Sequence, residues 1–500
     1  MAVILVVISV SLFLSYYYVS EIVPQKTSIV TENKTSNTAH LHGVSENMEA
    51  SSFKSTYITE YSLPNGTSPN AILVDNNGMV WTAGSGSDTL LELDPKSADL
   101  TLYQIPEKTD MGDRMSWSMV EDKDNSIWFS QFGSDPLWRF DPQTAKFELF
   151  HTSNTPFQMK VDKTGDIWFT TLSGNTVGVV QKISNNTATG GYKISEFSVG
   201  NDTYPSGLTL RGNSVWITEL EKGKVAKFDV LRNSDGLVTG IKKALEIPPA
   251  ENKDQFSIPT DLLFSSNDTL WVTEHGTSTV TKYKINSGEF TRFATSQNRY
   301  GVASLPFWLR KSLDDQGIWF DEHEGGNIAF FNIKNETLTE FKLPGNSKDV
   351  IYMLNLATDP HNPCKAWFSE WNADKIGMVN RCLLVPFEIR SDLHNVVLSS
   401  ESHQKIDVGV LARPAVPIGS NYTTVILNAS SSMEPAAGFV NMSATFENGN
   451  TFDLTQVGKQ QHFKILLDDH SAPPGNYTLG ISASDGIVTR TIFLGLIVNP

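Results

Sequence analysis

Four glutamates, Glu219, Glu274, Glu322 and Glu370, each stand three residues after a tryptophan, and His275 and His323 directly follow two of them. Carboxylates gathered along one arc repel one another, and their hard oxygens suit a divalent cation such as Mg²⁺ or Ca²⁺. A neighbouring imidazole titrates near neutrality and suits a general base. A plainer reading has each glutamate end its own strand, solvated or bonded to a neighbour, while the histidines diverge from them as successive strand residues do. The stretch IWFDEHEGG, residues 318–326, concentrates the question, because Asp321, Glu322, His323 and Glu324 follow an apolar run without a break. His151 and His361 read as loop residues, and no G-x-S-x-G, C-x-x-C, H-E-x-x-H or phosphate-binding glycine loop occurs.

The glutamates belong to a repeat. A unit of aliphatic-Trp-aliphatic character recurs as VWTAG, IWFSQ, IWFTT, VWITE, LWVTE, IWFDE and AWFSE, with Trp81, Trp128, Trp168, Trp216, Trp271, Trp319 and Trp367 spaced 47, 40, 48, 55, 48 and 48 apart. Apolar–polar alternation and D-P-x-[ST], N-G and N-S-G turns surround each copy, which is a strand-and-hairpin pattern. About four short strands per unit, seven times over, predicts a seven-bladed β-propeller spanning 57–384. Outer strands follow six units, at Thr101–Ile105, Phe147–His151, Ile194–Val199, Ala244–Ile247, Glu289–Ala294 and Leu338–Leu343, but not the seventh. Ile58–Pro64 supplies the missing copy, so the N-terminal strand is expected to complete the last blade and cover two edges. Cys364 and Cys382 flank the hairpin turn near Asn372 to Asp374 almost symmetrically, and a disulfide stapling that blade is expected outside the cytoplasm.

The flanking segments differ in kind. Residues 1–20 carry no charged side chain and predict an uncleaved membrane anchor, with a cleaved export signal or a misassigned start as alternatives. Residues 21–56 are polar and predict a stalk. Ten N-x-[ST] sequons permit glycosylation without requiring it. Residues 385–500 alternate in some seven strands, as an immunoglobulin-like sandwich would. The protein is thus expected to be all-β, membrane-anchored or secreted, and monomeric. The net charge of −16 excludes a nucleic-acid backbone as partner.

The motifs ITEYSLP, S-P-x-x-[IL]-x-x-D, [IV]-W-[FV]-[TS]-E and K-I-G occur here in the order found in the streptogramin B lyase (virginiamycin B lyase) family, which residues 57–382 resemble. The resemblance implies a seven-bladed propeller that opens a cyclic depsipeptide by elimination at its ester bond. It also implies Mg²⁺ held by glutamates, among them Glu370, and a histidine base in a Pro-His-Gly turn. At that turn this chain carries Met353, Leu354 and Asn355 instead, and its turns SPN, TPF, YPS, IPT and LPF also lack histidine. Three functions follow as expectations: a divalent-metal-dependent C–O lyase using His323 or His275, a non-catalytic module for a small-molecule or cell-envelope ligand, and a lactonase-like hydrolase with central Ca²⁺.

Overall fold

A computed structural model describes residues 38–41, 55–106, 115–132, 137–183, 191–249, 254–296, 304–345, 351–399, 406–414, 423–431, 442–447, 449–456, 459–469 and 473–499. The expected anchor, most of the stalk and the sequons at Asn33, Asn185, Asn421 and Asn441 lie outside these residues. Among the described residues no helix is long and apolar enough to cross a membrane.

The turns that precede each tryptophan explain the blade strands. In VDNNGMVW, Asp75 Oδ1 accepts the N–H groups of Asn77 and Met79 at 2.8 and 2.9 Å, while its Oδ2 accepts the Trp81 indole N–H at 2.9 Å. One carboxylate therefore fixes the hairpin and orients the large side chain. Asp122 and Asp162 do the same for Trp128 and Trp168, at 2.7 and 3.1 Å. The tryptophans then pack between blades: Trp81 lies 5.8 Å from Phe140 and Trp271 lies 5.1 Å from Phe331, ring centre to ring centre. Six of the seven are 0 or 1% exposed and Trp216 is 5% exposed. Burial of this kind stabilises by roughly 4 kcal/mol per indole.

Seven equal blades are expected from the spacing, and six are self-contained antiparallel sheets. The four strands around Trp319, Pro306–Lys311, Gly317–Glu322, Asn327–Asn332 and Thr337–Lys342, are instead part of a nine-stranded sheet. Their outermost strand pairs with the C-terminal strand Val488–Asn499, with Phe341 opposite Val488 and Thr337 opposite Ile492. The innermost strands of successive units touch in a closed cycle, from Pro69–Val74 round to Met353–Thr358 and back.

Ring closure follows the expected route. Ile58–Ser62 pairs with Lys375–Asn380 as the outer strand of the Trp367 blade. Asp374, held at φ 52° in the NADKIG turn, accepts the N–H groups of Gly66 and Ser68 at 2.8 and 2.7 Å, tying the first loop to the last blade. Gly377 is required three residues on, since a Cβ there would lie 2.1 Å from the Phe368 ring. Cys364 and Cys382 form the disulfide, with their Cα atoms 5.4 Å apart.

Two expectations change. Within the stretch read as a stalk, Thr38–Leu41 forms a strand on the outer edge of the Trp81 blade, paired with Asp99–Gln104. The C-terminal strands form two sheets, but not as a separate module. Phe387–Arg390, Ile406–Pro414, Gln461–Asp469 and Met442–Phe446 make one, and the other is the continuation of the Trp319 sheet. Thr38–Pro500 accordingly behaves as one compact unit. The outer edge of the Trp319 strands is thereby paired rather than left open.

Candidate functional site

Each of the four glutamates is fully buried, and each turns along its own blade toward the outermost strand. Glu219 Oε1 accepts Lys243 Nζ at 3.0 Å. Glu274 Oε1 accepts Arg292 Nε at 2.9 Å and the Thr281 hydroxyl, and its Oε2 accepts the Ser257 N–H at 2.5 Å. Glu322 Oε2 accepts Asn327 Nδ2 at 2.7 Å, while its Oε1 and the Oε2 of Glu340 find no donor. Burial, and then the Glu340 charge, push the Glu322 carboxyl well above its usual range. Burial and the Glu60 charge do the same to Glu370.

Magnesium of the kind that the family resemblance implies requires these oxygens to converge, and they do not. Two glutamates are neutralised by a cation of their own blade, and two face a second carboxyl of their own blade. Among the described residues no three His, Cys, Asp or Glu side chains are grouped so as to hold a metal ion. The donor set does not fit a shared Mg²⁺ or Ca²⁺.

The histidines occupy another place. Past each blade's second strand the chain pairs for one more step with the turn preceding the inner strand: His275 N–H bonds to Ile258 O and His323 N–H to Leu305 O, both at 3.1 Å. Ile258 and Leu305 hold φ of 51° and 56° immediately before a proline, a left-handed conformation that side-chain-bearing residues seldom adopt. The turns bring both imidazoles to the mouth of the ring, with ring centres 6.0 Å apart. Phe307 lies 5.4 Å from His275 and 5.8 Å from His323, and Tyr352 lies 6.0 Å from His323. Both imidazoles are half-buried. Burial pushes His275 down to about 4, opposed by the Pro306 carbonyl, and burial with the His275 charge pushes His323 down to about 3. Both shifts favour the neutral imidazole. Glu324, beside them and also half-buried, is raised by burial.

The repeat places the equivalent residues of the other Trp units around the same rim: Ser85, Phe132, Leu172, Leu220 and Trp371. Phe132 is 42% exposed, an unusual state for phenylalanine. Beneath the rim, rings from opposite blades meet across the axis. Phe157 lies 4.9 Å from Trp117, 6.2 Å from Phe307 and 5.4 Å from Trp308. The result is an apolar mouth with an aromatic floor and two neutral imidazoles on one side. Sequence reasoning followed the position three after each tryptophan, whereas the rim uses the fourth. The floor comes mainly from the residues beside the inner-strand turns, such as Phe157 of TPF and Phe307 of LPF.

Asp321 follows Trp319 by two residues, where other blades carry Ala83, Ser130, Thr170, Thr218, Thr273 and Ser369. It is fully buried, accepts the Trp308 N–H at 2.7 Å through Oδ1, and leaves Oδ2 without a donor. Burial pushes it up to about 7 against the opposing pull of the Trp308 N–H and the Arg310 charge.

No family model matches the chain, and no curated protein sequence is recognisably similar to it. Solved structures are. A catalytically inactive virginiamycin B lyase from Staphylococcus aureus with quinupristin is 22% identical, with 66% of this chain and 99% of that chain aligned at a TM-score of 0.51. The selenomethionine form of virginiamycin B lyase from the same organism gives 22%, the same coverage and 0.50. A streptogramin B lyase structure gives 20%, with 65% and 97% aligned at 0.50. At this identity the likeness establishes the propeller fold and leaves function to the site.

Proposed function

We propose that the ring mouth binds an apolar, ring-bearing small molecule or cell-envelope component, without catalysis and without a metal ion. The supporting observation is the set of Phe132, Leu172, Leu220, His275, His323 and Trp371, six of the seven equivalent rim positions, above the Phe157 and Phe307 floor. Apolar and aromatic groups gathered at the mouth of a ring, with few polar groups among them, suit a ligand better than ordinary surface does. The strands around Trp319 are read as the seventh blade, the two C-terminal sheets as an immunoglobulin-like sandwich fused to it through Thr337–Lys342, and residues 1–20 as the anchor that holds the ring outside the cytoplasm. The Cys364–Cys382 bridge suits an oxidising compartment.

A second reading is favoured by the imidazole pair: C–O elimination with His323 or His275 taking the proton. Their depressed basicity speaks against it, since an effective base at neutral pH has its pKa near the working pH. Quinupristin, which accompanies one of the similar structures, is a fitting probe. Calorimetric titration into the full chain should give saturable binding, with the peptide recovered at unchanged chromatographic retention. A retention shift without a mass change would establish elimination instead, because ring opening conserves mass. Absence of binding would overturn both readings for this ligand class.

A further inference from the structure

We propose that Asn476 carries an N-linked glycan whose first sugars lie in a cleft between the Trp271 blade and the C-terminal strands, an inference that rests on the reading that the ring lies outside the cytoplasm. Every sequon asparagine among the described residues is exposed: Asn65, Asn201, Asn267, Asn335, Asn428 and Asn476. Two of them, Asn335 and Asn476, come from distant parts of the chain and line one cavity of about 810 Å³. Strand alternation aims Asn476 into it. Asn476 and Thr478 share one face of Gly475–Ser484, and the Thr478 hydroxyl donates to Arg292 O at 2.6 Å, on the outermost strand of the Trp271 blade, Glu289–Ala294. That face therefore looks at the ring.

The lining suits a sugar. Ile497 and Gly495 stand opposite Asn476 and Thr478 on the neighbouring strand, and Phe493 follows on the same face, 5.0 Å from Phe293 of the blade, ring centre to ring centre. Gly495 leaves room for the Asn395 amide, which a Cβ there would strike. Thr291 and Glu289 form the facing wall. Phe493 and Ile497 thus offer an apolar floor to the C–H face of a sugar ring, while the amide, hydroxyl and carboxylate supply partners for its hydroxyl groups. The sugar donor is a lipid-pyrophosphate-linked oligosaccharide. The Asn476 amide nitrogen bonds to the anomeric carbon, the anomeric C–O bond to pyrophosphate breaks with its electron pair, and the amide proton passes to the departing lipid pyrophosphate. Thr478, the hydroxyl residue of the sequon, is only 6% exposed in the folded chain, so transfer precedes docking of this strand on the ring.

The test is the full chain, exported from a eukaryotic cell by its own N-terminal segment and read by glycopeptide mass spectrometry. Asn476 should be occupied, and Asn476→Gln should lose that one glycan. Timed release by peptide N-glycosidase then reports the seating. The Asn476 glycan should leave the native protein at least about tenfold more slowly than those on the open loops at Asn65 and Asn201, and denaturation should abolish the difference. Sugar on Asn65 and Asn201 with Asn476 bare, or equal release from all three in the native protein, would overturn this proposal alone. No sugar at any sequon would overturn the extracytoplasmic reading, and the proposal with it.

Discussion

Replacing Asp321 with Asn should stabilise the protein in a pH-dependent way. The carboxyl is fully buried and is raised from 3.8 to about 7. Below about pH 4 both folded and unfolded chains hold this proton, and the group costs nothing extra. As the pH rises toward 7 the unfolded chain releases the proton and the folded chain keeps it, so stability falls by about 1.4 kcal/mol per pH unit. Above the folded value the loss levels off at about 4 kcal/mol. Asparagine never ionises, and its Oδ1 can still accept the Trp308 N–H that now runs to Asp321 at 2.7 Å. Urea midpoints of parent and variant, followed by tryptophan fluorescence across this range, give a difference curve in which other titrating groups cancel. It should rise from near zero at about pH 4 to about 4 kcal/mol near pH 7 and then flatten. A difference that does not vary with pH would refute the reasoning that burial holds the Asp321 proton.

Reducing the Cys364–Cys382 bridge should lower the urea midpoint by the equivalent of about 3 kcal/mol, the chain-entropy value for a loop of this length; an unchanged midpoint would mean that strand pairing alone fixes the last blade. Arg292→Ala strands the Glu274 carboxylate in a dry interior and should cost about 3 to 5 kcal/mol, whereas the double change with Glu274→Gln should recover part of it. Gly377→Ala places a methyl group against the Phe368 ring and should destabilise by about 1 to 3 kcal/mol in the same assay. Millimolar Mg²⁺ or Ca²⁺ should leave the melting temperature where a chelator leaves it, and a clear rise would mean that the acidic side chains bind the ion.

Much of the ring was legible because its physics is local. The Trp spacing, the Asp six residues before three of the tryptophans and the K-I-G glycine each act within one blade, so the strands and the closure by Ile58–Ser62 could be read directly. The fate of the glutamates could not. A periodic position shows that four side chains are equivalent, but not whether they face the axis or the blade's own outer strand. Lys243, Arg292, Glu340 and Glu60, which decide that, lie on outer strands where the sequence pattern is weakest. The fused sheet was hidden for a similar reason, since pairing between Thr337–Lys342 and Val488–Asn499 spans some 150 residues with no turn to announce it. Asp321 departs from the small residues that the other repeats carry at its position, and that departure marks an unusual buried group.

The central claim is that ligand enters at the histidine rim. Nuclear magnetic resonance of imidazole-labelled protein tests it most directly. His275 and His323 should remain neutral well below the ordinary histidine value of about 6.5, and both signals should shift as quinupristin is added, while those of the loop residues His151 and His361 stay fixed. Shifts confined to the loop histidines, or a His323 that titrates normally and ignores the ligand, would contradict the account.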